Sequence, residues 1–214
     1  MGQNRRRLRN RCPRCRVLSE DCVCALIPSV ETRTRVLVVM HARESAQLSN
    51  TGRLAHFALP ASNVVLRGLP FTPVDLSDLD DPSRRGVLLF PEPGVPPLSA
   101  SDRPNDGKEL LLIVPDGGWR QAKRIVRSEE RLGTLPWRSL PDPPVSRYHL
   151  RRAPHDGFLS TFEAITEALA VLEEDGDAVR ATLMGFFDEW VARNLAERKG
   201  HLCRGARRGG ATGK

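Results

Sequence analysis

The sequence has no long apolar run. Its longest unbroken aliphatic stretch, Leu110 to Val114, falls far short of the roughly 18 residues a membrane-spanning helix needs, which excludes such a span. Acidic residues are missing from both ends. Residues 1–16 carry seven Arg, residues 198–214 carry six Lys or Arg, and neither stretch contains Asp or Glu. All 26 acids lie between Glu20 and Glu197 together with 20 bases, so the body is net −6 and the two tails carry +13. This pattern predicts a mildly acidic fold with cationic arms suited to a polyanion such as RNA or DNA, the plainer alternative being arms that only solubilise.

A secretory signal is missing too. Arg5, Arg6, Arg7, Arg9 and Arg11 crowd the place where its apolar core would sit, and Cys12 follows too soon for an organelle transit peptide. The cytoplasm is the predicted compartment, and there structural disulfides are disfavoured. With 40% hydrophobic and 28% charged residues in 214, the rest has an ordinary globular composition, long enough for one domain with a small appendage.

Four of the five cysteines, Cys12, Cys15, Cys22 and Cys24, fall within thirteen residues in the pattern C-x2-C-x6-C-x-C. Zinc takes four thiolates as a tetrahedron, and a C-x-x-C turn supplies one edge of it. A structural zinc knuckle is therefore predicted ahead of a redox thiol pair or plain packing. Cys203 stands alone in the basic tail and reads as an inert thiol.

From Arg33 onward, continuous apolar runs alternate with helix-like stretches. Strands are predicted at Arg35–His41, Asn63–Arg67, Gly86–Phe90 and Glu109–Val114, and unbroken apolar runs suit a parallel sheet covered on both faces. Helices are predicted at Thr51–Leu59, Trp119–Leu132, Thr161–Glu174 and Asp177–Lys199, the third with Phe162, Ile165, Leu169 and Leu172 on one face. The Pro-rich stretches Pro91–Pro104 and Pro136–Pro144 read as loops that cannot enter a sheet centre. The order argues for an α/β layer fold, in which ligands sit beyond the carboxyl ends of the strands.

Unusual segments occupy that position: Ser49-Asn50-Thr51-Gly52-Arg53 after the first strand, Phe90-Pro91-Glu92-Pro93 after the third, and Pro115-Asp116-Gly117-Gly118-Trp119 after the fourth. Tyr148-His149-Leu150-Arg151 then leads to Ser160-Thr161-Phe162-Glu163-Ala164. Helix capping accounts for some of these residues. Asp116 can cap the helix near Trp119, Ser49 or Asn50 can cap the helix at Thr51, and Ser160 with Glu163 makes a capping box. Two glycines before a Trp suit a close backbone approach to a ligand and a flat face for a base, the alternative being a core Trp119. His41, His149 and His155 lack metal-ligand spacing and read as structural or surface groups.

Taken in order, the Cys knuckle and the motifs SNTGRL (Ser49–Leu54), LLFP (Leu88–Pro91), DGGW (Asp116–Trp119), YHLR (Tyr148–Arg151) and STFEA (Ser160–Ala164) resemble the DTW-domain proteins. That family includes the bacterial tRNA-uridine aminocarboxypropyltransferases. One departure stands out: where the family pattern reads Asp-x-Thr-Trp, this chain has Gly118 in place of the Thr.

The resemblance implies a SPOUT-like, knotted α/β fold with a mainly parallel sheet and flanking helices. It implies a basic arm over residues 1–10, a four-cysteine zinc knuckle over 11–30, a catalytic domain over 31–199 and a basic tail over 200–214. The implied activity is transfer of the 3-amino-3-carboxypropyl group of S-adenosylmethionine to N3 of a tRNA uridine, with a structural zinc. Asp116 would act as the base or hold the donor's amino group. Donor contacts would come from Asn50, Thr51, Leu89, Phe90, Pro91, Asp116, Trp119, Leu150, Leu159, Ser160 and Thr161. Substrate contacts would come from Arg53, Trp119, Tyr148 and Arg151, and either Arg suits the migrating carboxylate. A SPOUT-like RNA methyltransferase and a non-catalytic zinc-knuckle RNA-binding protein are the alternatives.

Overall fold

The computed structural model describes residues 10–151 and 158–208, with side chains to residue 197. The arm over 1–9, the end of the tail, His155 and the Cys203 side chain lie outside the described residues.

Five strands form one parallel sheet in the order β2-β1-β4-β3-β5: β1 Arg35–His41, β2 Ser62–Arg67, β3 Arg84–Leu89, β4 Glu109–Asp116 and β5 Trp137–Arg138. The four longer strands lie within two residues of their predicted limits, because apolar runs buried on both faces are the clearest strand signal. The fifth falls inside a stretch read as loop. Its two residues pair only with β3 at the sheet edge, where flanking prolines are tolerated.

Alternate residues feed two cores. Val36, Val38, Met40, Leu112 and Val114 face α1 (Gly52–Ala58), α4 (Thr161–Leu172) and α5 (Gly176–Arg208), while Leu37, Val39, Leu111 and Ile113 face α2 (Trp119–Ser128) and α3 (Glu130–Gly133). The single helix expected from Trp119 to Leu132 is thus two, interrupted at Glu129, whose backbone is extended (φ −100°, ψ 101°). Among the described residues, no helix is long and apolar enough to cross a membrane.

The connection after β1 runs to β2 on one side, whereas that after β4 runs to β5 on the other. The carboxyl ends of β1 and β4 are paired, Met40 opposite Asp116, so the point where the connections diverge opens a crevice beside Asp116.

The Cys segment packs on α5. Buried Trp190 donates its indole N–H to the Cys15 carbonyl at 2.9 Å, and Arg11 is ion-paired with the buried Glu197. Trp190→Phe keeps most of the ring volume but leaves a buried carbonyl without its donor, an omission worth about 1–3 kcal/mol. Urea unfolding is expected to show a loss of that size with the m-value unchanged.

Candidate active site

Asp116 ends β4 with its carboxylate buried. One oxygen, Oδ2, accepts from Asn50 Nδ2 at 2.6 Å, and the other, Oδ1, accepts from the Thr161 hydroxyl at 2.5 Å. Three segments distant in sequence thereby meet at one group. Asn50 is oriented by its other end, since its Oδ1 accepts the Arg53 N–H at 3.1 Å in the first turn of α1. Gly52 completes the seat. A Cβ there would lie 2.9 Å from Asp116 Cγ and Oδ2 and 3.2 Å from Val38 Cγ1, so the tight approach of α1 to the carboxylate requires glycine.

Capping does not account for Asp116. At the start of α2 the Gly118 N–H is taken by Gln121 Oε1 at 2.8 Å, and Asp116 points away into the crevice. A side chain at Gly118 would meet only the flexible Gln121 Oε1 at 3.3 Å, and φ −57° is open to any residue, so the missing Thr reflects no steric demand. Ser160 and Glu163 do form the expected capping box, and Glu163 does more. Its buried carboxylate also accepts from Ser146 Oγ and the Arg147 N–H, tying the Tyr148 segment to the start of α4.

Burial pushes the Asp116 carboxyl above the ordinary carboxylate range, against the hydrogen bonds from Thr161 and Asn50 that favour its ionised form; Glu44 pushes it further up. Arg151 stands across the crevice. Burial works against its charge, but Glu44, whose Oε2 lies 2.8 Å from Nη2, carries its pKa above the usual Arg value. Arg151 Nε also donates to Ser49 Oγ at 2.9 Å, and the Tyr148 hydroxyl donates to the Ser49 carbonyl at 2.5 Å.

Two cavities meet here. A polar one of about 190 Å³ is lined by Asn50, Thr51, Asp116, Tyr148, Arg151 and Ser160 among others. A more apolar one of about 330 Å³ lies between Leu89-Phe90-Pro91, Val114-Pro115 and Ala164, within the size range of small-molecule sites. Gly117, Trp119, Phe158, Leu159 and Thr161 line both. Trp119 is half-buried, stacked on Phe90 at 5.1 Å with Phe158 edge-on at 4.5 Å, so it is a wall between the cavities and not a closed core residue.

Most of the residues named from the sequence therefore converge. Two do not. Leu150 is buried in the core and lines neither cavity, because its neighbours Tyr148 and Arg151 take the inward positions. Arg53 is carried by the turn of α1 to the outer flank, its guanidinium over Phe57 at 5.8 Å. Glu44, Ser146 and Phe158 escaped the sequence reading, since nothing local marks loop residues whose partners Arg151, Glu163 and Trp119 are brought to them only by the fold. His41 keeps a structural role: its Nδ1 accepts the Arg43 N–H at 3.1 Å, and burial, then nearby Arg43, depresses its pKa.

At the amino end, the sulfurs of Cys12, Cys15, Cys22 and Cys24 all lie within 4.8 Å of one another, with Cys12 to Cys24 at 3.4 Å and Cys15 to Cys22 at 3.7 Å. A tetrahedron of ~2.3 Å zinc–sulfur bonds has edges of roughly 3.8 Å, so the four thiols suit one such ion.

A model of the DTW domain matches residues 9–195. The chain belongs to the DTW domain family. Over 183 residues it is 31% identical to tRNA-uridine aminocarboxypropyltransferase 2 of Drosophila melanogaster, covering 82% of this chain and 71% of that protein. It is 25% identical to tRNA-uridine aminocarboxypropyltransferase A of Arabidopsis thaliana, covering 84% and 79%, and 26% identical to tRNA-uridine aminocarboxypropyltransferase 2 of Mus musculus, covering 82% and 60%. No solved structure matches the chain significantly. The DTW domain here spans the Cys cluster, the sheet and both cavities.

If the four sulfurs share one ion, protein purified under reducing conditions carries about one equivalent of metal, and Cys22→Ser loses it and loosens the segment ahead of β1. Elemental analysis finding no metal in the unsubstituted protein would contradict the shared site.

Proposed function

We propose that this DTW-domain protein transfers the 3-amino-3-carboxypropyl group of S-adenosylmethionine to N3 of a uridine in tRNA. The observation that carries the reading is the junction of an apolar, aromatic-walled cavity with a polar one at a buried carboxylate, in a chain whose relatives bear that name.

The adenosyl group fits the apolar cavity between Leu89-Phe90-Pro91 and Trp119, and its amino-acid tail extends into the polar one. Arg151 uses two of its five N–H groups on Glu44 and Ser49, leaving others free to pair with the donor's carboxylate. The sulfonium offers three carbons, and the methyl is the least hindered. Selecting the aminocarboxypropyl carbon is therefore a matter of which one the two-cavity site turns towards the nucleophile.

Uridine N3 keeps its proton at neutral pH and is hidden in a base pair, so the base must be turned out against a surface such as Trp119 or Tyr148. As the N3–carbon bond forms, the carbon–sulfur bond breaks, methylthioadenosine leaves as a neutral thioether, and the N3 proton passes to Asp116. A raised carboxyl pKa suits that task, since a base works best with its pKa nearer the operating pH.

In the same reading the cysteines hold a structural zinc, whose four protein ligands leave it no catalytic position. The sheet belongs to a knotted SPOUT-like fold, with the knuckle over 11–30, the catalytic domain over 31–199 and basic arms at 1–10 and 200–214. Reduced thiols in the metal site go with a cytoplasmic location.

Incubation with S-adenosylmethionine and unmodified tRNA is expected to yield an aminocarboxypropyl-uridine and methylthioadenosine by mass spectrometry. A methylated nucleoside with S-adenosylhomocysteine would overturn the reading in favour of a methyltransferase. Asp116→Asn is expected to lower the transfer rate by roughly 10²-fold or more. A carboxyl whose pKa is raised on folding loses stability as pH rises through that raised value. The neutral variant should therefore be no less stable at neutral pH, and a thermal melt checks this.

A further inference from the structure

Two arginines from separate parts of the chain converge on one ring beside the site. Arg14 belongs to the turn between Cys12 and Cys15, and its guanidinium carbon lies 5.0 Å from the Phe57 ring centroid. Arg53, in the first turn of α1, lies 5.8 Å from the same centroid. Such placement over an aromatic face fixes a guanidinium's direction without using its hydrogen-bond donors.

Neither cation is matched by a carboxylate among the described residues, whereas Arg11 of the same Cys segment and Arg151 of the crevice are both ion-paired. Arg53 Nη1 is moreover buried with no hydrogen-bond partner. A partly desolvated cation left without a counter-charge is costly, and an anion would relieve it. Burial also pulls the Arg53 pKa below its ordinary value, as expected of an uncompensated charge.

The position of the pair is fixed relative to the crevice. Arg16, from the same Cys segment, donates to the Ser45 carbonyl at 2.7 Å and the Gln47 carbonyl at 3.0 Å, clamping that segment onto the loop leading to Ser49 and Asn50. Arg53 shares its first turn with Gly52, which backs onto Asp116. Arg53 lines neither cavity, so an anion held there is not the tail of a small donor inside them. Planar guanidiniums favour phosphate through forked hydrogen bonds.

We propose that Arg14 and Arg53, each held over the Phe57 ring, bind backbone phosphates of the RNA whose uridine enters the polar cavity. This rests on the tRNA reading above and gives the Cys segment a part in seating the substrate.

The test is equilibrium binding of tRNA over a series of salt concentrations, without the methionine donor, for Arg14→Gln, Arg53→Gln and the control Lys108→Gln. Lys108 is exposed at the amino end of β4, the opposite end of the sheet. Each Arg variant should bind more weakly and lower the slope of log K against log salt by about one, whereas Lys108→Gln should leave it unchanged. S-adenosylmethionine affinity should stay the same throughout. Arg53→Lys, which keeps the charge, should retain most of the slope, and circular dichroism confirms the fold of each variant.

Unaltered slopes in both Arg→Gln variants, or an equal fall in Lys108→Gln, would overturn the proposal. So would a loss of donor affinity in Arg53→Gln, which would move Arg53 to the donor. A methylated product in the transfer assay would change the reaction and leave this phosphate site standing, whereas the expected product with unaltered slopes would keep the reaction and remove the site.

Discussion

The site depends on one buried carboxylate held by two hydrogen bonds. Asp116 ends the central strand β4, and its two oxygens are taken by Asn50 from the start of α1 and Thr161 from the start of α4. Without those donors a buried charge of this kind would not persist. With them, the strand and two helices share a fixed point at the place where the chain connections diverge. Gly52 lets α1 come close enough for Asn50 to reach, and no larger residue fits without displacing the carboxylate or Val38.

Around that point the polar and apolar cavities divide their work by composition. The wall between them is aromatic, Trp119 stacked on Phe90 with Phe158 at its edge. Glu163 and Glu44 act one step back, the first tying the Tyr148 segment to α4 and the second holding Arg151 across the crevice. The Cys segment is coupled to the same region from outside through Arg16, and to α5 through the bond from Trp190 to the Cys15 carbonyl.

Much of this was legible in the sequence, and the reasons differ by feature. Strands β1 to β4 are unbroken apolar runs, a signal that survives without tertiary context. Asp116 and Trp119 stood out because DGGW lies between a strand and a helix, with capping and a core Trp as the structural alternatives, and Thr161 stood out through the STFEA motif of the family resemblance. Arg53 shows the limit: its place in SNTGRL was clear, but the phase of a helix starting at Gly52 decides that it faces Phe57 and not the cavity. Leu150 shows the same limit between two inward-facing neighbours. Glu44 and Phe158 gave no local sign, because their importance lies wholly in what the fold sets against them. The edge strand Trp137–Arg138 was hidden by the prolines beside it.

The central claim is that Asp116 takes the uridine proton from a setting that raises its pKa. A base must be ionised to act, so the rate falls as pH drops through its pKa, and a raised value moves that fall to higher pH. The direct measurement is the single-turnover rate of transfer against pH for the unsubstituted protein and for Asp116→Asn. The account predicts an acid limb centred above ~3.9, the ordinary aspartate value, and its disappearance in the variant. The same acid limb persisting in Asp116→Asn would contradict it.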